Sequence, residues 1–285
     1  MKLALGTAQF GLNYGISNSS GKISKENAVD LLSYARCNGV ETLDTAIAYG
    51  DSEQALGNIG VAGWQVITKL PALPEGEGDI ESWVERQLQG SLSRLGVSNV
   101  YGLLLHRPQQ LLERSGPALI HALERLKQQG LVEKIGASIY QPEELDSLVD
   151  IMGLDLIQAP LNVFDRRLID SGWLARLKDQ GAEVHVRSVF MQGLLLMPAT
   201  VRPEKFMRWQ KLWAEWDSWL ALSKVDPVTA CLGFVLSEPC VDKVIVGVES
   251  AMQLETIIKA SAVMSPKVPA SISSLDIDLL NPARW

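Results

Sequence analysis

Cysteine is scarce in this chain, and the three that occur, Cys37, Cys231 and Cys240, are an odd number without any C-x-x-C spacing. That excludes a disulfide framework and a cysteine-built zinc site, and buried free thiols are the expectation. Cations are outnumbered as well: 26 Lys and Arg stand against 33 Asp and Glu, a net charge of -7. The basic residues form no stripe, so the array that phosphate neutralisation needs is missing and nucleic acid is excluded as a partner. No apolar run of about 18 residues occurs, which argues against a membrane-spanning helix. The start MKLALGTAQFG enters a strand pattern without the apolar core of a signal peptide. These absences predict a cytoplasmic protein, monomeric or a weak homo-oligomer, that acts on a small molecule. Hydrophobic residues make up 47% of 285 positions, enough for a large core.

Several motifs are also missing. The segment GISNSSGK, Gly15 to Lys22, has five residues between its glycines and Ile23 in place of Ser or Thr, so it is no P-loop. The sequence around Ser138, GASIY, lacks the second glycine of a nucleophile elbow, no G-x-G-x-x-G follows a strand, and H-E-x-x-H does not occur. Hydrolase and metalloenzyme readings fall away, and no metal is expected.

What is present is an alternation. Eight short apolar strand candidates, KLALGTA, VETLDTA, QVITKL, YGLLLH, KIGASI, LDLIQAPL, EVHVRSV and KVIVGV, are separated by helical patterns. One helix starts near Ser24 and stops at Gly39, and others stop at Gly96, Gly130, Gly153 and Gly181. Pro142, Pro227 and Ser250 mark further helix starts. Eight strand–helix units without a linker predict an α/β fold, one (β/α)8 TIM barrel domain spanning 1–285, with an open doubly wound sheet as the alternative. Trp209, Trp213, Trp216 and Leu220 recur at helical spacing and are expected to pack into the core; an aromatic platform for a sugar or a partner helix is the other reading.

Four polar residues fall at or just past the carboxyl ends of these strands, where barrels build active sites. Together Asp44, Tyr49, Lys69 and His106 contain the groups that carbonyl reduction needs. Hydride addition puts negative charge on the carbonyl oxygen, so a positioned acid must protonate it. Tyr49 is the natural donor, and a neighbouring ammonium, Lys69, favours its phenolate. Asp44 would keep Lys69 charged, and His106 would orient the substrate oxygen. Singly each has a structural explanation: a turn cap, a packed tyrosine, a solvated strand end, a rim histidine. His121 and His185 lack such companions and read as ordinary helix and strand residues.

The ordered set LGTAQFG, LDTAIAYGDSEQALG, VITKL, SLSRLG, LLLHRP, GLVEKIGAS and LIQAPLNVFD resembles the aldo-keto reductases along nearly the whole chain. The resemblance implies a nicotinamide-dependent reductase of aldehydes or ketones, with Asp44, Tyr49, Lys69 and His106 as its tetrad. It implies cofactor contacts from Thr7, Ser138 and Gln158, although Ile139 replaces the usual Asn. Arg187, Ser188, Val189 and Phe190 stand where the family has Tyr-Ser-Pro-Leu, so the Arg187 guanidinium takes the place of the ring that stacks on the nicotinamide. Gln192, Gly193 and Leu194 match the loop over the pyrophosphate, and Gly247, Glu249 and Gln253 fall at the adenosine-phosphate end without the basic residues often found there. NADPH is the implied cofactor and NADH the second choice. Phe10 is expected to form an apolar wall for a carbonyl substrate, which resemblance to bacterial members makes sugar-like. A sensor or regulatory partner protein that binds nicotinamide without turnover is the alternative from another class.

Overall fold

A computed structural model of the chain describes residues 1–16, 18 and 21–285. Ser17, Ser19 and Ser20 of the GISNSSGK segment lie outside the described residues. The eight strands are β1 (Leu3–Gly6), β2 (Thr42–Asp44), β3 (Gln65–Leu70), β4 (Val100–Leu105), β5 (Val132–Ser138), β6 (Leu156–Pro160), β7 (Glu183–Arg187) and β8 (Lys243–Gly247). All neighbouring strands pair in parallel, and β1 pairs with both β2 and β8, so the sheet closes on itself. This closure settles the topology in favour of the barrel over the open sheet.

Several of the helices between the strands begin or end on capping residues. Ser24 accepts a hydrogen bond from the Asn27 amide at the head of helix Lys25–Cys37, Asp226 accepts from Thr229 before Pro227–Leu236, and Ser250 accepts from Gln253 before Ala251–Ser261. Helix Ile80–Leu95 stops on Gly96, which adopts the left-handed conformation that ends helices. Of the tryptophan stripe, Trp213 and Trp216 on helix Gln210–Ser223 are buried and Trp209 is half-buried. Phe164 packs on Trp213 and Trp216, and Trp285 meets Phe206 edge-on with ring centroids 5.0 Å apart. The stripe is core. The cysteines depart from the expectation of burial: Cys231 is buried, with its thiol pushed up by loss of solvent, but Cys240 is half-buried and Cys37 is exposed at its helix end.

Side chains two apart on a strand share a face, and the inner face of the barrel is therefore layered. Ile67, Leu104 and Leu156 form a small apolar cluster in the middle of the barrel, separate from the large core under the helices. Two residues further along the same strands stand Lys69, His106 and Gln158, at the carboxyl end. Towards the opposite end Glu183 gathers Tyr101 (2.7 Å), Lys134 and His185 (2.6 Å). Burial opposes the Glu183 charge, but hydrogen bonds from His185, Lys134 and Tyr101 outweigh it and hold its pKa down at about 2. His185 is wholly enclosed there, whereas His121 is exposed and pairs with Glu81 on a neighbouring helix.

Glu183→Ala would strand Lys134 and His185 inside the barrel and should destabilise the fold by about 3 kcal/mol at pH 7 in thermal or denaturant unfolding. Because the Glu183 pKa is depressed in the folded state, that stability is present above the ordinary value of 4.5 and is lost as pH falls towards about 2. The gap between wild type and variant should narrow over that range.

Candidate active site

Strand ends bring the polar residues to one mouth of the barrel. Asp44 closes β2, Lys69 is the penultimate residue of β3, and His106 follows β4 directly. Ser138, Arg187 and Gly247 close β5, β7 and β8, and Gln158 lies in β6, in register with Ser138. Tyr49 sits in the loop after β2, where an uncommon backbone approach fixes it. A Cβ on Gly11 would stand 1.8 Å from the Tyr49 carbonyl oxygen, and Gly50 adopts φ 58, so both positions need glycine. The next two motif residues are structural. Ser52 donates to the Thr7 carbonyl (2.8 Å), and the buried Glu53 carboxylate accepts from Thr68 (2.6 Å), Ser91 and Arg94 (2.8 Å). Between them they tie the Tyr49 loop to β1, β3 and helix Ile80–Leu95.

Lys69 is fully buried, and its ammonium donors are all engaged. Its Nζ lies 2.7 and 2.8 Å from the Asp44 carboxylate oxygens, 3.0 Å from the Thr45 carbonyl and 3.5 Å from the Tyr49 hydroxyl. Burial works against the Lys69 charge, but Asp44 and then Tyr49 outweigh it and raise the Lys69 pKa above its ordinary value. Gln158 donates to the same Asp44 oxygen at 2.6 Å, which pins the carboxylate from the opposite strand. The Tyr49 hydroxyl accepts from Lys69, and no other described residue hydrogen-bonds it. Its own proton is thus available to a group in the cavity. The His106 ring stands edge-on to Tyr49 at 6.0 Å. Burial first, then the Lys69 charge, lowers the His106 pKa to about 4, so the ring is neutral at pH 7.

These groups open into a cavity of about 460 Å³ that runs across the barrel mouth to β8 and helix Ala251–Ser261. Asp44, Tyr49, His106, Thr7, Ser138, Gln158, Arg187, Ser188, Gln192, Gly193, Gly247, Glu249 and Gln253 all line it, whereas Lys69 lies behind them. Two residues placed here by sequence are elsewhere. Phe10 is 1% exposed and packs in the core, because the helical turn Ala8–Gly11 sends it inward and leaves Gln9 at the cavity. Leu194 is likewise wholly buried, at the start of a tight turn behind Gly193. Tyr14 and Tyr140 also line the cavity, and sequence reasoning missed both. Tyr14 lies in a loop without periodicity, and the Gln192 side chain donates to its hydroxyl at 3.4 Å. Left-handed φ values at Ser188, Met191 and Gln192 mark this β7 loop as strained.

Hydroxyl and amide side chains line the cavity near β5 and β6, and the glycines Gly193 and Gly247 line it near β7 and β8. Ser138, Gln158, Gln192 and Gly193 place hydroxyl, amide and backbone groups along this cavity.

Over residues 2–277 the chain matches the aldo/keto reductase family, and it belongs to that family of oxidoreductases. It is 25% identical over 282 residues to YqkF of Bacillus subtilis (strain 168), an uncharacterized oxidoreductase, covering 91% of this chain and 90% of that protein. Among solved structures it resembles PA4992, a putative aldo-keto reductase of Pseudomonas aeruginosa, with 25% identity, TM-score 0.67 and coverage of 92% and 89%. The fold is also that of the holo form of aldo-keto reductase AKR11C1 of Bacillus halodurans, with TM-score 0.72, 20% identity and coverage of 93% and 88%. Among the described residues no single helix is long and apolar enough to cross a membrane.

The His106 environment is directly measurable. Its imidazole proton resonances should titrate with a midpoint near 4 in the folded protein, well below the ordinary 6.5. With the folded pKa depressed, the unfolded chain takes up the proton first, so this residue costs stability as pH falls from 6.5 towards 4.

Proposed function

We propose that this protein reduces an aldehyde or ketone to an alcohol with a reduced nicotinamide cofactor, and that Tyr49 is the general acid. The observation that carries this reading is the Tyr49 hydroxyl, which accepts from the buried Lys69 ammonium and keeps its own proton for the cavity. A bound NADPH or NADH supplies the hydride. As the carbonyl oxygen gains charge, the Tyr49 hydroxyl donates its proton to that oxygen. Negative charge left on the Tyr49 oxygen then faces the Lys69 ammonium, which Asp44 keeps protonated. Neutral His106 hydrogen-bonds the same substrate oxygen and fixes its approach. Ser138 and Gln158 would hold the carboxamide of that cofactor, and Thr7, Gln192 and Gly193 would meet its phosphates.

At the β8 end Gly247, Val248, Glu249 and Gln253 line the cavity with no Lys or Arg among them. That lining supports NADH over NADPH, since an extra phosphate would meet a carboxylate and no cation.

Tyr49→Phe should lower carbonyl reduction at least a hundredfold while cofactor binding, followed by nicotinamide fluorescence, stays within a few-fold. Lys69→Met should lower turnover similarly and also cost about 3 kcal/mol in unfolding assays, because Asp44 is left buried without its cation. Unchanged turnover in Tyr49→Phe would remove the acid role, and a cofactor-binding protein without turnover would show no reduction in the wild type either. The same fluorescence titration should give a smaller Kd for NADH than for NADPH, and Glu249→Lys should reverse that order.

A further inference from the structure

We propose that Arg187 is the specificity-determining residue of this site and that it selects carbonyl substrates carrying a carboxylate. The inference rests on the reductase reading and narrows its substrate class. Among the described residues lining the cavity, Arg187 is the only Lys or Arg. Among the described residues it has no carboxylate partner, whereas Lys69 pairs with Asp44 and Arg167 with Asp165. A partly desolvated cation without a counter-charge is costly, and such a group is satisfied when an anion enters.

The guanidinium is held ready for that anion. Its Nη2 donates to the Ile139 carbonyl at 3.0 Å, its Nη1 to the Ser188 hydroxyl at 3.3 Å, and its plane lies over the Tyr140 ring at 4.4 Å. An arginine has five N–H donors, and these contacts leave three unspent. The plane is fixed by neutral partners, so a planar carboxylate can engage it without first displacing another anion. Arg187 also acts on the reaction centre itself, since its charge is one of the influences that lower the His106 pKa. A substrate whose carbonyl oxygen meets Tyr49 and His106 therefore has a cation across the same cavity. An oxyanion of the cofactor could use the same guanidinium, and the test must separate the two sources.

The probes are 4-carboxybenzaldehyde and its methyl ester, the same aldehyde with and without the charge. Charge-assisted hydrogen bonds predict that wild-type kcat/KM favours the acid by about tenfold to a hundredfold. Arg187→Met should bring that ratio to near or below one, and Arg187→Lys, which keeps the charge without the fork, should fall between. Nicotinamide fluorescence gives the cofactor Kd for all three proteins. An unchanged ratio in Arg187→Met overturns the proposal, and an unchanged ratio with a raised cofactor Kd assigns the guanidinium to the cofactor phosphates. Calorimetric binding of the same pair makes the test independent of turnover. A preference for the acid that Arg187→Met abolishes, without reduction of either compound, would keep the anion site and remove the reductase reading. Reduction of both with equal affinity would do the reverse.

Discussion

A lysine ammonium enclosed in a barrel would shed its proton unless a counter-charge and a full set of acceptors met it. Lys69 meets both conditions through Asp44, the Thr45 carbonyl and the Tyr49 hydroxyl. The rest of the site is arranged around that requirement. Asp44 must be held from a second side, which Gln158 does from β6, and this is possible only because the sheet closes and brings β2, β3 and β6 around one mouth. The same ammonium also lies 3.5 Å from the Tyr49 hydroxyl.

Positioning Tyr49 also depends on where backbone can come close. The Gly11 turn packs against the Tyr49 carbonyl with no room for a side chain, and Gly50 turns the chain immediately after it. Ser52 and Glu53 anchor the other side of this loop through buried hydrogen bonds to Thr7, Thr68 and Arg94. The motif thus divides into Tyr49, which faces the cavity, and a frame that holds its loop.

The charges along the cavity follow an order of their own. Near the reaction centre Asp44 is neutralised by Lys69 and His106 is uncharged, so the cation presented to the cavity is Arg187. At the β8 end the charge presented is the Glu249 carboxylate. Arg187 closes β7 at the same mouth where Asp44 and Lys69 pair.

The eight strands were legible because each is a short apolar run bounded by capping residues and glycine, and those signals are local. Asp44, Lys69 and His106 were legible for the same reason, each ending such a run, and Tyr49 as a polar residue just past one. Phe10 and Leu194 were misplaced because a residue in a tight turn faces core or cavity according to backbone direction, which no periodicity reports. Tyr14 and Tyr140 were missed because loops carry no period and their cavity neighbours Gln192 and Arg187 are distant in sequence. By itself the sequence determined the strand–helix order and which residue types crown the strands, since propensity, capping and apolar patterning act over a few neighbours. Only the tertiary structure decided that the sheet closes, that Lys69 lies behind the cavity and not in it, and that Arg187 is left without a counter-charge. Those facts depend on distances between strands far apart in the chain, and burial sets the strength of every charge among them.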